Sequence, residues 1–242
     1  MAAGAAAAWS APAPAPVLPA LCPLFGIRRR LDGPGIALTF DDGPHPQGTP
    51  AVLAELARHG VPATFFLVGE QIERDPSLAA EIVAAGHEVA IHGYRHTLLL
   101  RRWPAALERD LDRALVVIEA ATGVSPTVYR PPYGVFSAGG LASCRRRGWA
   151  PTLWSRWGRD WGAHERPAAI ARRAAAGAVA GDIVLLHDAD HYSSDGSWRR
   201  TVAALPAILE SLLATGAPLV TLAAGGSGQA GPCPLPFVSH SR

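Results

Sequence analysis

Ile36-Ala37-Leu38-Thr39-Phe40-Asp41-Asp42-Gly43-Pro44 opens as an apolar run of strand length and closes on two adjacent carboxylates and a turn-forming Gly-Pro. A short apolar run bounded by a turn reads as a buried strand. Acids at its end fit only if that end faces a solvent-exposed rim. The layout recurs along the chain. Strand-like runs at 63–68, 87–91, 127–130, 150–154, 183–187 and 218–222 alternate with helical patterns at 49–58, 76–85, 104–121, 138–147, 167–178 and 198–214. Several of these helices open on proline and are followed by glycine. Such alternation predicts a parallel α/β architecture. Seven strands are odd for a regular barrel of about eight, so either one strand is missed or the barrel is incomplete. Nearly every cluster of Asp, His or Arg falls at the C-terminal end of a predicted strand, the rim where parallel barrels assemble catalytic groups.

The chain has 242 residues, 49% hydrophobic and 17% charged, enough for one large globular domain. Its 22 basic and 20 acidic residues leave a formal charge of +2. No global field therefore draws it to nucleic acid. The runs Arg28-Arg29-Arg30 and Arg145-Arg146-Arg147 read as solvated termini or helix faces rather than binding patches. Cys22, Cys144 and Cys233 are far apart, odd in number and without CxxC spacing, so neither a disulfide framework nor a thiolate zinc site is indicated. A reducing, cytoplasmic compartment fits. The first basic residue is Arg28, so the positive start of a secretory signal is missing, and prolines from Pro12 to Pro23 interrupt any spanning helix. Residues 1–30 are read as an N-terminal arm, flexible or loosely packed over 1–23. A shortened membrane anchor and an extracellular protein are the alternatives. Residues 31–223 form the domain that carries the rim, and the Gly-, Ser- and Pro-rich 224–242 reads as a disordered tail. Nothing in the sequence speaks to oligomeric state.

Asp-Asp-Gly-Pro alone is an ordinary turn. Adjacent carboxylates in it can also point different ways, one binding a cation while the other takes a proton. Ile91-His92-Gly93-Tyr94-Arg95-His96 supplies partners: two histidines four apart on one side of a helical turn can share a metal. With Asp42 they make a His2Asp set that leaves a position for water, the composition of a catalytic zinc site. Arg130-Pro131-Pro132-Tyr133-Gly134 places a permanent charge beside two rigid prolines. That arginine is either structural or holds a catalytic carboxylate ionised, and the Tyr133 N–H could meet a developing oxyanion. Trp154-Ser155-Arg156-Trp157-Gly158-Arg159-Asp160-Trp161 is an aromatic rim segment with one carboxylate. Leu185-Leu186-His187-Asp188 ends in a histidine that an acid such as Asp160 would orient and make more basic.

In order, TFDDGP (39–44), HGYRH (92–96), RPPYG (130–134), RDW (159–161) and LLHD (185–188) resemble the successive motifs of the polysaccharide deacetylases, the NodB-homology family of carbohydrate esterase family 4. That family includes chitin, peptidoglycan and chitooligosaccharide deacetylases. The resemblance covers residues 36–222 and implies a distorted barrel of seven or eight β/α units. It implies a metal-dependent hydrolase that removes an N-acetyl group from a carbohydrate, either a glycan or a glycosylated small molecule. Asp41 is then implied as general base, and Asp42, His92 and His96 as ligands of a divalent metal, usually zinc. Arg130 is implied to pair with Asp41, Tyr133 to touch the substrate and donate to the oxyanion, and Asp160 to tune His187, the general acid. Trp161 and Leu185 would wall a pocket for the acetyl methyl.

Three positions depart from the family pattern. Gly93 stands where Ser or Thr usually steadies the histidine loop, which predicts looser ligand geometry. Trp157 replaces a further Asp, leaving Asp160 alone beside His187. Residues 188–198 are longer and more polar than the expected short turn; the segment could be a substrate-recognition lid whose His191 reaches the metal, ahead of His45 or His164. The alternatives are an O-acetyl esterase, a deacetylase of a non-sugar amide, or a non-catalytic glycan-binding module. The complete set of acid, base and ligands argues against the last.

Overall fold

The computed structural model describes residues 3–226. Eight strands among them form one sheet: β1 (Ile36–Asp41), β2 (Thr64–Val68), β3 (Glu88–Gly93), β4 (Val128–Tyr129), β5 (Ala150–Pro151), β6 (Arg156–Trp157), β7 (Ile183–His187) and β8 (Leu219–Val220). Seven lie in the spatial order β5-β4-β3-β2-β1-β7-β6, and β8 pairs with the first residues of β1. Every pairing is parallel, and the sheet curls into a distorted, incomplete barrel. The helices are α1 (Ala3–Ser10), α2 (Gly48–His59), α3 (Gly69–Ile72), α4 (Pro76–Ala84), α5 (Pro104–Thr122), α6 (Ala138–Arg147), α7 (Pro167–Ala175) and α8 (Ser197–Leu213).

The central strands are continuous apolar runs because both faces are covered. Every residue of β1 and β2 is buried. Phe40 and Phe65 stack at 5.1 Å between centroids, and burial of each such ring contributes about 1.5–3 kcal/mol. Asp41, His92 and His187 lie at or next to the C-terminal ends of β1, β3 and β7, so they reach the same rim.

Some sequence expectations change. The predicted strand at 150–154 stops at Pro151, and a short β6 follows at the opposite edge, beside β7. This strand escapes a sequence reading because two residues of a Trp-rich rim carry no periodicity. The predicted helix at 167–178 ends at Ala175.

The arm read as loose contains α1 and two 3₁₀ turns, and Ala15, Cys22 and Ile27 are buried in the core. Alanine favours the helix, and the prolines fold the chain back in successive turns. Trp9 packs on α6 at Gly139, where an added Cβ would stand 2.4 Å from the indole ring. Beyond it, residues 28–30 run from the β5 edge of the sheet to the start of β7. Arg28 pairs in parallel with Thr152, next to β5, and Arg30 with Asp182, next to β7. Arg28 also donates to the Leu222 carbonyl at 3.1 Å, and Arg30 to Asp182 at 2.7 Å. The first arginine run is thus a closing strap. In the second, Arg146 and Arg147 pair with Glu108, and Arg147 also with Asp112, across α5 and α6.

Among the described residues no helix is long and apolar enough to cross a membrane. Cys22 and Cys144 are free thiols. Of the expected tail, 224–226 form a 3₁₀ turn; 227–242, with Cys233, lie outside the described residues.

Candidate active site

The turn after β1 and the ends of β3, β4 and β7 deliver their polar side chains to one cavity of about 320 Å³. Asp41, Asp42, His92, His96 and His187 line its floor, and Trp154, Trp157, Trp161 and Leu185 form an apolar wall. Tyr133 and Tyr192 complete it. Among non-glycine residues, Asp42 (φ 78°), Tyr133 (φ 60°) and Arg159 (φ 55°) have left-handed backbones. Such strain persists only where surrounding contacts over-determine it, and it gathers at functional sites.

Asp42, His92 and His96 each offer a ligand atom, and these atoms all lie within 4.8 Å of one another. Asp42 Oδ1 sits 3.3 Å from His92 Nε2 and 3.2 Å from His96 Nε2. The Nδ1–H of His92 donates to the Arg130 carbonyl at 2.8 Å, so the neutral ring turns the lone pair of Nε2 toward Asp42. Two lone pairs facing one another repel unless a cation lies between them. Asp42 Oδ1 is buried and accepts no hydrogen bond of proper geometry. Without a cation, protons on His92 and His96 would have to take its place, and with them the Asp42 carboxyl is held well below the usual range despite its burial. The donor set therefore fits a divalent metal of the zinc type.

The histidines do not share a helical turn, as their spacing suggested. His92 lies within β3 in extended backbone, and Gly93, its last residue, at φ 109°, turns the chain so that His96 returns from the following bend. A side chain at that φ would be strained, which is the physical reason for glycine here.

Asp41 points elsewhere. Arg130, fully buried, donates Nη1 to Asp41 Oδ1 at 2.6 Å and to Thr39 Oγ1 at 2.9 Å. Its Nη2 donates to the Leu153 carbonyl at 3.1 Å, and its plane lies 4.0 Å over the Phe66 ring. Asp41 Oδ2 stays 4.0 Å from His92 Nε2. The adjacent carboxylates are thus split between an arginine and the two histidines.

Across the cavity, His187 Nδ1 donates to Asp160 Oδ1 at 2.9 Å, and Asp160 Oδ2 accepts from the His187 N–H at 2.8 Å. Burial alone would lower the His187 pKa; the Asp160 carboxylate, then Asp42 and Asp41, overcome it and raise the pKa to about 10. Trp161 meets the imidazole edge-on at 5.6 Å. Trp157 stacks on Trp154 at 5.8 Å and reaches no charged partner of His187. The sequence missed Thr201, whose hydroxyl donates to Asp160 Oδ2 at 2.7 Å from α8. A threonine in an ordinary helical pattern carries no signal.

The remaining histidine candidates are engaged elsewhere. His191 Nε2 lies 3.2 Å from the Pro44 carbonyl and outside the ligand cluster. His45 Nδ1 accepts the N–H groups of Gln47 and Gly48, which seats the start of α2. His164 is exposed.

Comparison with known proteins places this geometry in a family. The chain is 41% identical over 173 residues to a chitooligosaccharide deacetylase of Bradyrhizobium sp., covering 69% of this chain and 78% of the relative. It is 35% identical over 190 residues to a peptidoglycan-N-acetylglucosamine deacetylase of Bacillus cereus, covering 77% and 85%. Its fold matches the crystal structure of the Bc1960 peptidoglycan N-acetylglucosamine deacetylase with a TM-score of 0.78 at 27% identity, over 86% of this chain and 95% of that one. Residues 28–149 match the pattern described as Polysaccharide deacetylase, and the chain belongs to that family.

Proposed function

We propose that the protein is a metal-dependent N-deacetylase that releases acetate from an N-acetylated glycan or glycosylated small molecule. The observation that carries the reading is the opposition of two sites across one cavity. The convergent Asp42, His92 and His96 face His187, which Asp160 keeps protonated. The named activities of the relatives support the sugar amide as substrate.

Asp42, His92 and His96 hold the cation, proposed to be zinc. When bound, such an ion acts as a Lewis acid and lowers the pKa of its water to near neutrality. Asp41 takes the proton of the attacking water. Arg130 aims Asp41 through the hydrogen bond from Nη1 to Oδ1 at 2.6 Å. The Tyr133 N–H donates to the developing oxyanion. His187 gives its Nε2 proton to the leaving nitrogen, because an amine departs poorly unless protonated. Trp161 and Leu185 take the acetyl methyl, and Trp154 and Trp157 offer the sugar an apolar face.

The test is a screen for released acetate. The chelator-treated protein meets chitooligosaccharides, peptidoglycan fragments and acetylated small glycosides, with and without added zinc. Acetate release that depends on zinc is expected; none from any substrate in either condition would overturn the proposal.

A further inference from the structure

The two histidines of the candidate metal site are held differently. His92 is fixed by its hydrogen bond to the Arg130 carbonyl. His96 Nδ1 is buried and has no hydrogen-bond partner. A metal-binding imidazole almost always gives its second N–H to an acceptor that sets ring plane and tautomer. His96 needs another source of orientation, and the ring lies between two aromatic side chains. Tyr192 stacks on it with centroids 4.2 Å apart and planes 11° apart. Tyr133 meets it edge-on at 4.5 Å.

Tyr192 is tied at its far end. Its hydroxyl donates to Glu70 Oε1 at 2.7 Å and accepts from Gln71 Nε2 at 2.8 Å, both on α3. The ring is thus clamped between α3 and the imidazole. The backbone that carries His96 is fastened separately. The Tyr94 N–H donates to Asp110 Oδ2 at 3.0 Å, and Arg102 links Asp110 Oδ1, at 2.9 Å, to Thr97 Oγ1, at 2.9 Å. Asp110 occupies the space beside Gly93, 3.4 Å from where a Cβ would stand. The loop path is therefore fixed from α5, while the plane of the imidazole is left to its stacking partners.

We propose that Tyr192, brought in by the 188–198 segment, is the positioning residue for His96, and that its clamped ring replaces the missing hydrogen bond at His96 Nδ1. The proposal rests on the metal-site reading above. It gives the long polar segment a definite role, because one of three metal ligands lacks a fixed orientation until that segment is seated.

The test reads metal affinity of the apoprotein, by zinc competition with a chromophoric chelator, together with the visible absorption of the cobalt-loaded protein. Tyr192→Leu keeps apolar bulk but loses the ring; it should bind zinc about 10- to 100-fold more weakly, the usual effect of losing a ligand's outer partner, and alter the cobalt bands. Tyr192→Phe keeps the ring but loses both hydroxyl tethers, and should bind several-fold more weakly than the parent yet more tightly than Tyr192→Leu. Glu70→Ala leaves the Gln71 tether in place, and a smaller loss than in Tyr192→Phe is expected. Parental affinity and cobalt spectrum in a folded Tyr192→Leu would overturn the proposal. Should Tyr192→Leu not fold, parental affinity in Tyr192→Phe would overturn it. If the parent itself binds no zinc, the metal-site reading fails first and this proposal falls with it.

Discussion

Replacing Asp160 with asparagine tests the acid end of the site without emptying it. Asp160 Oδ2 accepts from both the His187 N–H and the Thr201 hydroxyl, while Oδ1 faces His187 Nδ1. An asparagine must keep its carbonyl oxygen where two donors converge, which turns its NH2 toward Nδ1. An imidazolium carries a proton on both nitrogens, so its Nδ1–H would then meet a donor. Only the neutral ring, protonated at Nε2, fits. Loss of an adjacent opposite charge lowers such a pKa by about 1 to 3 units, and the donor mismatch places this variant at the upper end. Asp160 is the largest of the groups that hold the parent value up, at about 10 before a metal neutralises Asp42, so the alkaline limb should move down by about 3 units. Midway between the two limbs turnover is then lower by approximately thirtyfold. The assay is acetate release from an N-acetylated oligosaccharide, with kcat/KM followed across the alkaline range at saturating zinc. Thr201→Val, which keeps the charge, should leave the alkaline limb near its parental position. A limb that does not move in Asp160→Asn refutes the assignment of His187 as the acid.

Three further outcomes are expected. His92→Ala or His96→Ala should lose most bound zinc together with activity, measured by metal analysis of the purified variants; full metal retention in both would remove these residues from the site. Asp41→Asn should retain zinc but lose turnover about 10²-fold or more. It should also melt at lower temperature, because Arg130 is left buried without its counter-charge, a loss of about 3–5 kcal/mol when one partner is removed. His187→Ala should reduce turnover on amides far more than on matched activated esters, whose leaving groups need no proton; equal losses would point to a different acid. Because the His187 pKa is raised on folding, its pairing with Asp160 stabilises fully below about pH 6.5 and is lost as pH rises toward about 10. The melting-temperature gap between parent and Asp160→Asn should close over that window.

The parts legible in sequence share one property: they sit where a strand ends. A buried strand leaves a hydrophobic trace, so the polar residue that follows it stands out, as Asp41, Asp42, His92, Arg130 and His187 do. The helical turn read into His92 and His96 fails because the spacing of four has two origins, a helix or a bend, and the left-handed Gly93 makes it a bend. Thr201, Asp110 and Tyr192 leave no such trace because each acts through another residue, from a helix or an irregular segment whose local pattern has its own explanation. The N-terminal arm departs from its sequence reading for a related reason. Ala and Pro bury little surface each, so composition gives no sign that Trp9, Ala15, Cys22 and Ile27 find places in the core.

The strap at residues 28–30 also bears on how the protein forms during synthesis. Its partners Thr152 and Asp182 lie far along the chain, so the segment made early must wait for most of the domain to emerge before it can pair. Until then the β5 edge lies open, the part of a sheet most prone to join another chain. The contacts are long-range, which slows closure further. A nascent chain stalled before Asp182 would therefore be the species most exposed to aggregation and most in need of a chaperone.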